Sequence, residues 1–209
     1  MKFSNKVDWG IERERCALLI HDMQQHYLQA LPPDEREQLT ANIRRIGRAC
    51  VQHGVPIFAT QVPAGLDSRE RGLMLDMWGK GPSPDGHAIA PELGLAEHNV
   101  RLLTKRSYSA FYGNDFDVLL RRLRRDTIIV VGVYTSIGCY CSAVDAFMRD
   151  IRAFLVADAM ADLHPADHEA GIAMAARTCA RVTDTGNLCD ALAKRKPEWV
   201  GQSGRIDVC

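Results

Sequence analysis

The tightest constraint on this chain is an apolar run that is continuous where a half-exposed strand would alternate: Cys16-Ala-Leu-Leu-Ile, closed by His21-Asp22. A run this short with no polar beat is the pattern of a strand buried on both faces. Strands covered on both sides occur in parallel sheets, whose crossovers are helices. Comparable segments recur at Val55-Pro-Ile-Phe-Ala-Thr60, Val100-Arg-Leu-Leu-Thr-Lys105, Thr127-Ile-Ile-Val-Val131 and Ala153-Phe-Leu-Val-Ala157, with a last short one near Arg181-Val-Thr. Between them lie segments of helical spacing. About Glu35 to His53 places Leu39, Ile43, Ile46 and Cys50 on one face before Gly54 stops the helix. Others run from Phe116 to Arg125, from about Cys139 to Asp150 and around Ala166 to Ala180. The alternation predicts an α/β fold: a parallel sheet with helices on both faces and right-handed crossovers.

In such sheets ligands bind beyond the carboxyl ends of the strands. Asp22, Lys105 and the turn Gly132-Val133-Tyr134-Thr135-Ser136-Ile137-Gly138-Cys139 each follow a different strand. Convergence of the three is therefore expected. Taken singly, each residue also has an ordinary reading: Asp22 as a turn or cap residue, Lys105 as a solvated strand end, Tyr134 and Trp78 as packing. Arg71 sits in the charged stretch Asp67-Ser-Arg-Glu-Arg, which reads as a solvated loop. The Gly/Pro-punctuated segment from Gln61 to Leu95 is too long for a plain connection and reads as a lid or binding loop. The tail from Lys194 to Cys209 is polar and reads as loosely ordered.

Lys+Arg and Asp+Glu both number 26, so no global charge favours nucleic acid or a membrane surface. The cluster Arg121-Arg122-Leu123-Arg124-Arg125 reads as the solvated end of a helix. At 209 residues with 46% hydrophobic composition the chain suits one globular domain, residues 1–209. Its seven cysteines (Cys16, Cys50, Cys139, Cys141, Cys179, Cys189, Cys209) are odd in number and form no CxxC pair, which favours neither a disulfide framework nor zinc. His21 and His26 flank Asp22 without ligand spacing, and no metal or cofactor is expected. Without a signal-peptide core or a stretch of about 18 apolar residues, the expected location is the cytoplasm.

Several motifs in order carry a resemblance. Leu19-Ile20-His21-Asp22-Met23-Gln24 resembles the first-strand signature of the isochorismatase-like hydrolase superfamily, in its isochorismatase and phenazine-pathway branch. Arg71-Gly-Leu-Met-Leu-Asp-Met-Trp-Gly79 resembles the substrate-loop segment of that branch. Lys105 with Tyr108-Ser109-Ala110-Phe111 resembles its lysine motif, and Gly132-Val133-Tyr134 with Ile137-Gly138-Cys139 its fourth-strand turn. Asp145 to Asp150 and Val156-Ala-Asp158-Ala159 continue the match, which covers roughly residues 12 to 190. The resemblance implies a Rossmann-like three-layer α/β/α sandwich with a six-stranded parallel sheet, usually dimeric, and a non-proline cis peptide after Val133. Most of the superfamily has a nucleophilic cysteine where this chain has Gly138. The branch without it cleaves a vinyl ether.

Carried over position by position, the resemblance implies Asp22 as general acid, kept protonated by burial and by the substrate's carboxylates. Lys105 would hold a substrate carboxylate or tune Asp22. Arg71 and Tyr134, with Tyr108, Gln61, Trp78 and Ser136, would bind a small anionic chorismate-derived substrate, Arg71 offering a bidentate fork. The reaction implied is hydrolysis of the enolpyruvyl ether of isochorismate or a close analogue, without a covalent intermediate. Products of such reactions feed siderophore, phenazine or antibiotic synthesis. Three positions depart from the isochorismatase pattern. Val62 stands at the usual glutamine in a gapless match, Arg106-Ser107 replaces Trp-Arg, and Ser136 replaces His. They leave the chemistry possible and put isochorismate itself in question. Two alternatives stay open: a cysteine-type amidase using Cys139, and a binding homologue without catalysis. Against Cys139, one step along a helix turns a side chain by about 100° away from position 138.

Overall fold

The computed structural model describes residues 4–94 and 98–194. The expected loose tail from residue 195 onward, and Leu95 at the end of the long loop, lie outside the described residues. Six strands form one sheet: β1 (Cys16–His21), β2 (Ile57–Gln61), β3 (Val100–Thr104), β4 (Thr127–Val133), β5 (Arg152–Ala161) and β6 (Ala180–Thr183). Their spatial order is β3-β2-β1-β4-β5-β6, and every pairing is parallel. The order reverses direction at β1, so the crevice outside β1, β2 and β4 is the topological switch point where ligands bind in such sheets.

The continuous apolar runs are explained by two cores. Ala17 and Leu19 of β1 with Ile128 and Val130 of β4 face one core. Leu18 and Ile20 with Ile129 and Val131 face the other. On the first side pack α5 (Phe116–Arg122), α6 (Tyr140–Phe147) and α7 (Pro165–Thr178), through Phe116, Leu120, Ala143, Ala146 and Ile172. On the second pack the short α1 (Gln25–Leu28), through Leu28, α2 (Pro33–Gln52), through Leu39, Ile43, Ile46 and Cys50, and α8 (Thr185–Ala193), through Leu188 and Leu192. The three-layer sandwich expected from the sequence is the fold observed. Among the described residues no helix is long and apolar enough to cross a membrane.

Several boundaries differ from the sequence reading, and those of β5 and of the helix after β4 have visible causes. β5 continues past Ala157 to Ala161, because its register against β4 shifts between Val130 and Gly132 and leaves Asp158 exposed in mid-strand. That carboxylate accepts from Thr185 N and Oγ1 and so ties down the start of α8, a helix the apolar pattern did not reveal. The expected helix from Cys139 is preceded by a π-helical turn, Thr135–Cys139, and ends three residues earlier than read, at Phe147. Asp150 there has φ 58°, which terminates any helix.

The long segment after β2 carries the short helices α3 (Ser68–Arg71) and α4 (Met74–Trp78) and folds back over the switch point. The Gln24 side chain fastens it. Its Nε2 donates to Val62 O at 2.9 Å and His87 O at 2.5 Å, and its Oε1 accepts from Val62 N at 2.8 Å. A fully buried amide that satisfies this many backbone groups is a costly one to remove.

Candidate active site

β1 ends at His21, and Asp22 follows with φ 48°, a left-handed conformation that Asp adopts more readily than most residues. The turn aims its carboxylate into the crevice while leaving it only 8% exposed. Thr60 on β2 holds it from one side: Asp22 N donates to Thr60 Oγ1 at 2.9 Å, and that hydroxyl donates to Asp22 Oδ1 at 2.5 Å. Lys105, just past β3, holds it from the other, with Nζ donating to Oδ2 at 2.6 Å. The two residues predicted from separate strand ends therefore meet as a buried ion pair.

The electrostatics correct one expectation. Burial pushes the Asp22 carboxyl up, but the Lys105 ammonium and His21 together outweigh it, and the net direction is well below the usual carboxylate range. Without substrate, Asp22 is therefore drawn to its carboxylate form, so burial does not by itself keep it protonated as expected.

His21 was not singled out as a site residue, yet its ring is fully buried behind the acid. Nδ1 lies 3.0 Å from Val133 O, which can only accept, so this nitrogen carries a proton. The same nitrogen is 3.4 Å from Asp22 Oδ2, and Nε2 is 3.1 Å from Ser142 Oγ. Thr60, Gln24 and His21 share one reason for going unread: the hydrogen bonds that place them reach residues 38 or more positions away in the chain.

A single pocket joins Asp22 and Lys105 to Arg71, Trp78, Tyr108, Tyr134 and Gly138. Arg71 is buried, against its reading as part of a solvated loop. A capping box explains this: Asp67 Oδ1 accepts from Arg69 N and Glu70 N while Glu70 Oε2 accepts from Asp67 N. The single turn so nucleated turns Arg71 inward, where Nε donates to Gly79 O at 3.0 Å. Its guanidinium lies so close over Gly81 that a Cβ there would fall 2.9 Å from Cζ. Trp78 Nε1 donates to Tyr108 OH at 2.9 Å, joining the long loop to the segment after Lys105.

The Val133–Tyr134 peptide is cis, as the sequence resemblance implies. Tyr134 OH donates to Tyr27 O at 2.9 Å, and the two rings meet edge to face at 6.0 Å. Burial first, then Asp162 and Asp22, push the Tyr134 phenol up to about 12, and burial pushes Tyr27 in the same direction. Both are neutral donors at ordinary pH. Tyr27 lines the pocket and was missed from the sequence.

Two expected substrate contacts do not line the pocket. Gln61 Nε2 is spent on His87 O, and Ser136 packs against Gly171 with its N–H donating to Asp162 Oδ2. Of the three departures from the isochorismatase pattern, Val62 and Arg106 line the pocket and Ser136 does not. Cys139 is fully buried in the α5–α6–α7 core and outside the pocket lining, and burial raises its thiol well above the usual range. Among the described residues no cluster of His, Cys, Asp and Glu could hold a metal ion.

Residues 16–187 match the isochorismatase domain family. The chain is 40% identical over 189 residues to phenazine biosynthesis protein PhzD1 of Pseudomonas aeruginosa, a match covering 90% of this chain and 91% of that protein. It is 38% identical over 191 residues to enterobactin synthase component B of Escherichia coli, covering 90% of this chain and 67% of that protein. In structure it is similar to a cysteine hydrolase from Pseudomonas syringae, with a TM-score of 0.80 at 22% identity over 89% of this chain and 96% of that one.

Proposed function

The chain belongs to the isochorismatase family, and we propose that it hydrolyses the enolpyruvyl ether of isochorismate or a close chorismate-derived analogue to pyruvate and a dihydro-hydroxybenzoate-type product. The observation that carries this reading is a buried carboxyl in a cation-lined pocket whose adjoining turn presents Gly138, a residue with no side chain to act as nucleophile. Such a site can move a proton, and it cannot form an acyl-enzyme at that position. The relatives named for isochorismatase and for phenazine and enterobactin synthesis support the substrate class.

In this reading Asp22 protonates the terminal methylene carbon of the enolpyruvyl group. The vinyl π electrons form the new C–H bond, and the ether oxygen stabilises the resulting oxocarbenium ion. Water adds to the oxocarbenium carbon, the one that bears the ether oxygen, and returns a proton to the Asp22 carboxylate. The hemiketal then collapses: its hydroxyl becomes the ketone of pyruvate, the C–O bond to the ring breaks, and the hydroxyl proton passes to the departing oxygen to give the ring alcohol. Because Asp22 is ionised in the free site, substrate must deliver it in protonated form. A substrate carboxylate pairing with Lys105 and Arg71 places new negative charge beside Asp22 and competes for its ammonium partner. Both effects raise the carboxyl's affinity for a proton. Proton uptake is thereby coupled to binding.

Arg71 supplies the fork for a carboxylate, with Tyr134, Tyr108 and Trp78 forming the wall against the ring. Val62 and Arg106 are the positions at which this pocket selects among chorismate-derived rings. The burial of Cys139 disfavours an amidase that uses its thiol. The test is pyruvate release from isochorismate, coupled to lactate dehydrogenase, with Asp22→Asn alongside. Release by the parent and not by the variant supports the reading. Ligand binding without release in either would mark a binding homologue. We also read the protein as a cytoplasmic, single-domain homodimer, for which light scattering should give twice the chain mass.

A further inference from the structure

Gly138 has a backbone conformation open to any residue, so its lack of a side chain is not dictated by φ. The space beside it dictates it. A Cβ built at Gly138 would lie 2.2 Å from His21 Cε1 and 3.0 Å from both ring nitrogens, and these are its three nearest atoms. The ring cannot swing aside cheaply. It is fully buried, held at Nδ1 by Val133 O and at Nε2 by Ser142 Oγ, while Ser142 Oγ itself accepts from Ala110 N at 2.9 Å. The other glycine of the turn answers to the same residue. Gly132 pairs with His21 across β1 and β4, and a Cβ there would fall 2.2 Å from His21 O. One glycine makes room for the backbone of His21 and the other for its ring.

We propose that the His21 ring closes position 138 of this pocket to a nucleophile by filling the volume that any side chain there would need. A nucleophile at 138 is then excluded by occupancy, and gaining one takes two changes, since His21 must go first. The inference goes beyond the proposed ether hydrolysis and does not depend on it, because its test needs no substrate.

The test compares thermal midpoints of the parent, Gly138→Ala, His21→Val and the double variant. Valine is short of the ring's reach, and its own loss of hydrogen bonds cancels when increments are compared. Gly138→Ala should lower the midpoint by about 4 °C or more in the parent and by less than about 2 °C in the His21→Val background. If Gly138→Ala does not fold alone, recovery of folded protein in the double variant is the same result. Equal drops in both backgrounds, a harmless Gly138→Ala, or failure of the double variant alongside Gly138→Ala would overturn the proposal. As a second reading, native His21→Val/Gly138→Cys treated with iodoacetamide should take up one more label by intact mass than His21→Val. No additional label would show that something other than the His21 ring closes position 138.

Discussion

Replacing Lys105 by Met tests the buried ion pair directly, since methionine keeps most of the aliphatic stem and deletes the ammonium. Asp22 is then left 8% exposed with its 2.6 Å partner gone. Removing one member of a buried pair costs about 3–5 kcal/mol, because the remaining charge is stranded. For a domain of this size that is a loss of about 6–20 °C in thermal midpoint near pH 7.5. The pH dependence identifies the cause. In the parent, Asp22 is depressed below its unfolded value, so its pairing adds stability above about pH 4 that fades only in stronger acid. In Lys105→Met, burial remains the largest single influence, His21 still opposes it and the Lys105 contribution is gone, so the carboxyl should shift upward. A raised folded value contributes stability below the unfolded value of about 4 and loses it as pH rises. The gap between the two proteins should therefore be widest at neutral pH and shrink by at least half near pH 4.5. Differential scanning fluorimetry at matched ionic strength reads both, with groups common to the two proteins cancelling in the difference. A gap of the same size at both pH values, or none at pH 7.5, would refute the reasoning.

Arg71→Ala should raise KM for pyruvate release by about 10- to 100-fold, the range for a charged hydrogen-bonding group withdrawn from a ligand carboxylate. An unchanged KM would remove Arg71 from substrate binding. Cys139→Ala should keep parental kcat, because the thiol faces the core and not the pocket; loss of turnover in a folded variant would restore the cysteine reading. With proton loading coupled to binding, kcat for the parent should fall as pH rises through the Asp22 value in the substrate complex, and a kcat that rises throughout that range would contradict Asp22 as donor. Val62→Gln should change the ratio of kcat/KM between isochorismate and an amino-substituted analogue, since position 62 lines the pocket while Gln24 holds its backbone; an unchanged ratio would move selection elsewhere.

What could be read from the chain follows from the range of the interactions involved. Continuous apolar runs declare strands buried on both faces, so β1 and β4 were legible in this way, whereas β3 is an edge strand with Arg101 and Leu102 exposed and was read from a mixed run. Together the three strand ends made the convergence of Asp22, Lys105 and the turn beyond Gly132 legible. Interactions set by register were not. Asp158 looks like a strand terminator in sequence, and only the shift between Val130 and Gly132 lets β5 run past it. Gln61 looked like a pocket amide, but extended pairing turns it to His87 O. Arg71 looked solvated because its charged neighbours are, and the capping box at Asp67 that buries it is a local motif whose consequence depends on where the loop lands.

The ionisation of Asp22 was the reading most at odds with the structure, and the reason bears on how the site works. A carboxyl that protonates carbon must be acidic enough to give its proton up and still hold one when substrate arrives. Burial alone would keep it protonated at all times and leave the buried Lys105 ammonium without its counter-charge. Pairing it with Lys105 at 2.6 Å instead stores the site as a neutral ion pair until an anion enters. In the proposed reaction the substrate's carboxylate would do more than anchor it: by drawing on Lys105 it would remove the interaction that keeps Asp22 ionised. An uncharged enol ether would bind without that exchange and find a carboxylate where an acid is needed. In the proposed mechanism, selection for an anionic substrate and supply of the catalytic proton would thus fall to the same pair of residues.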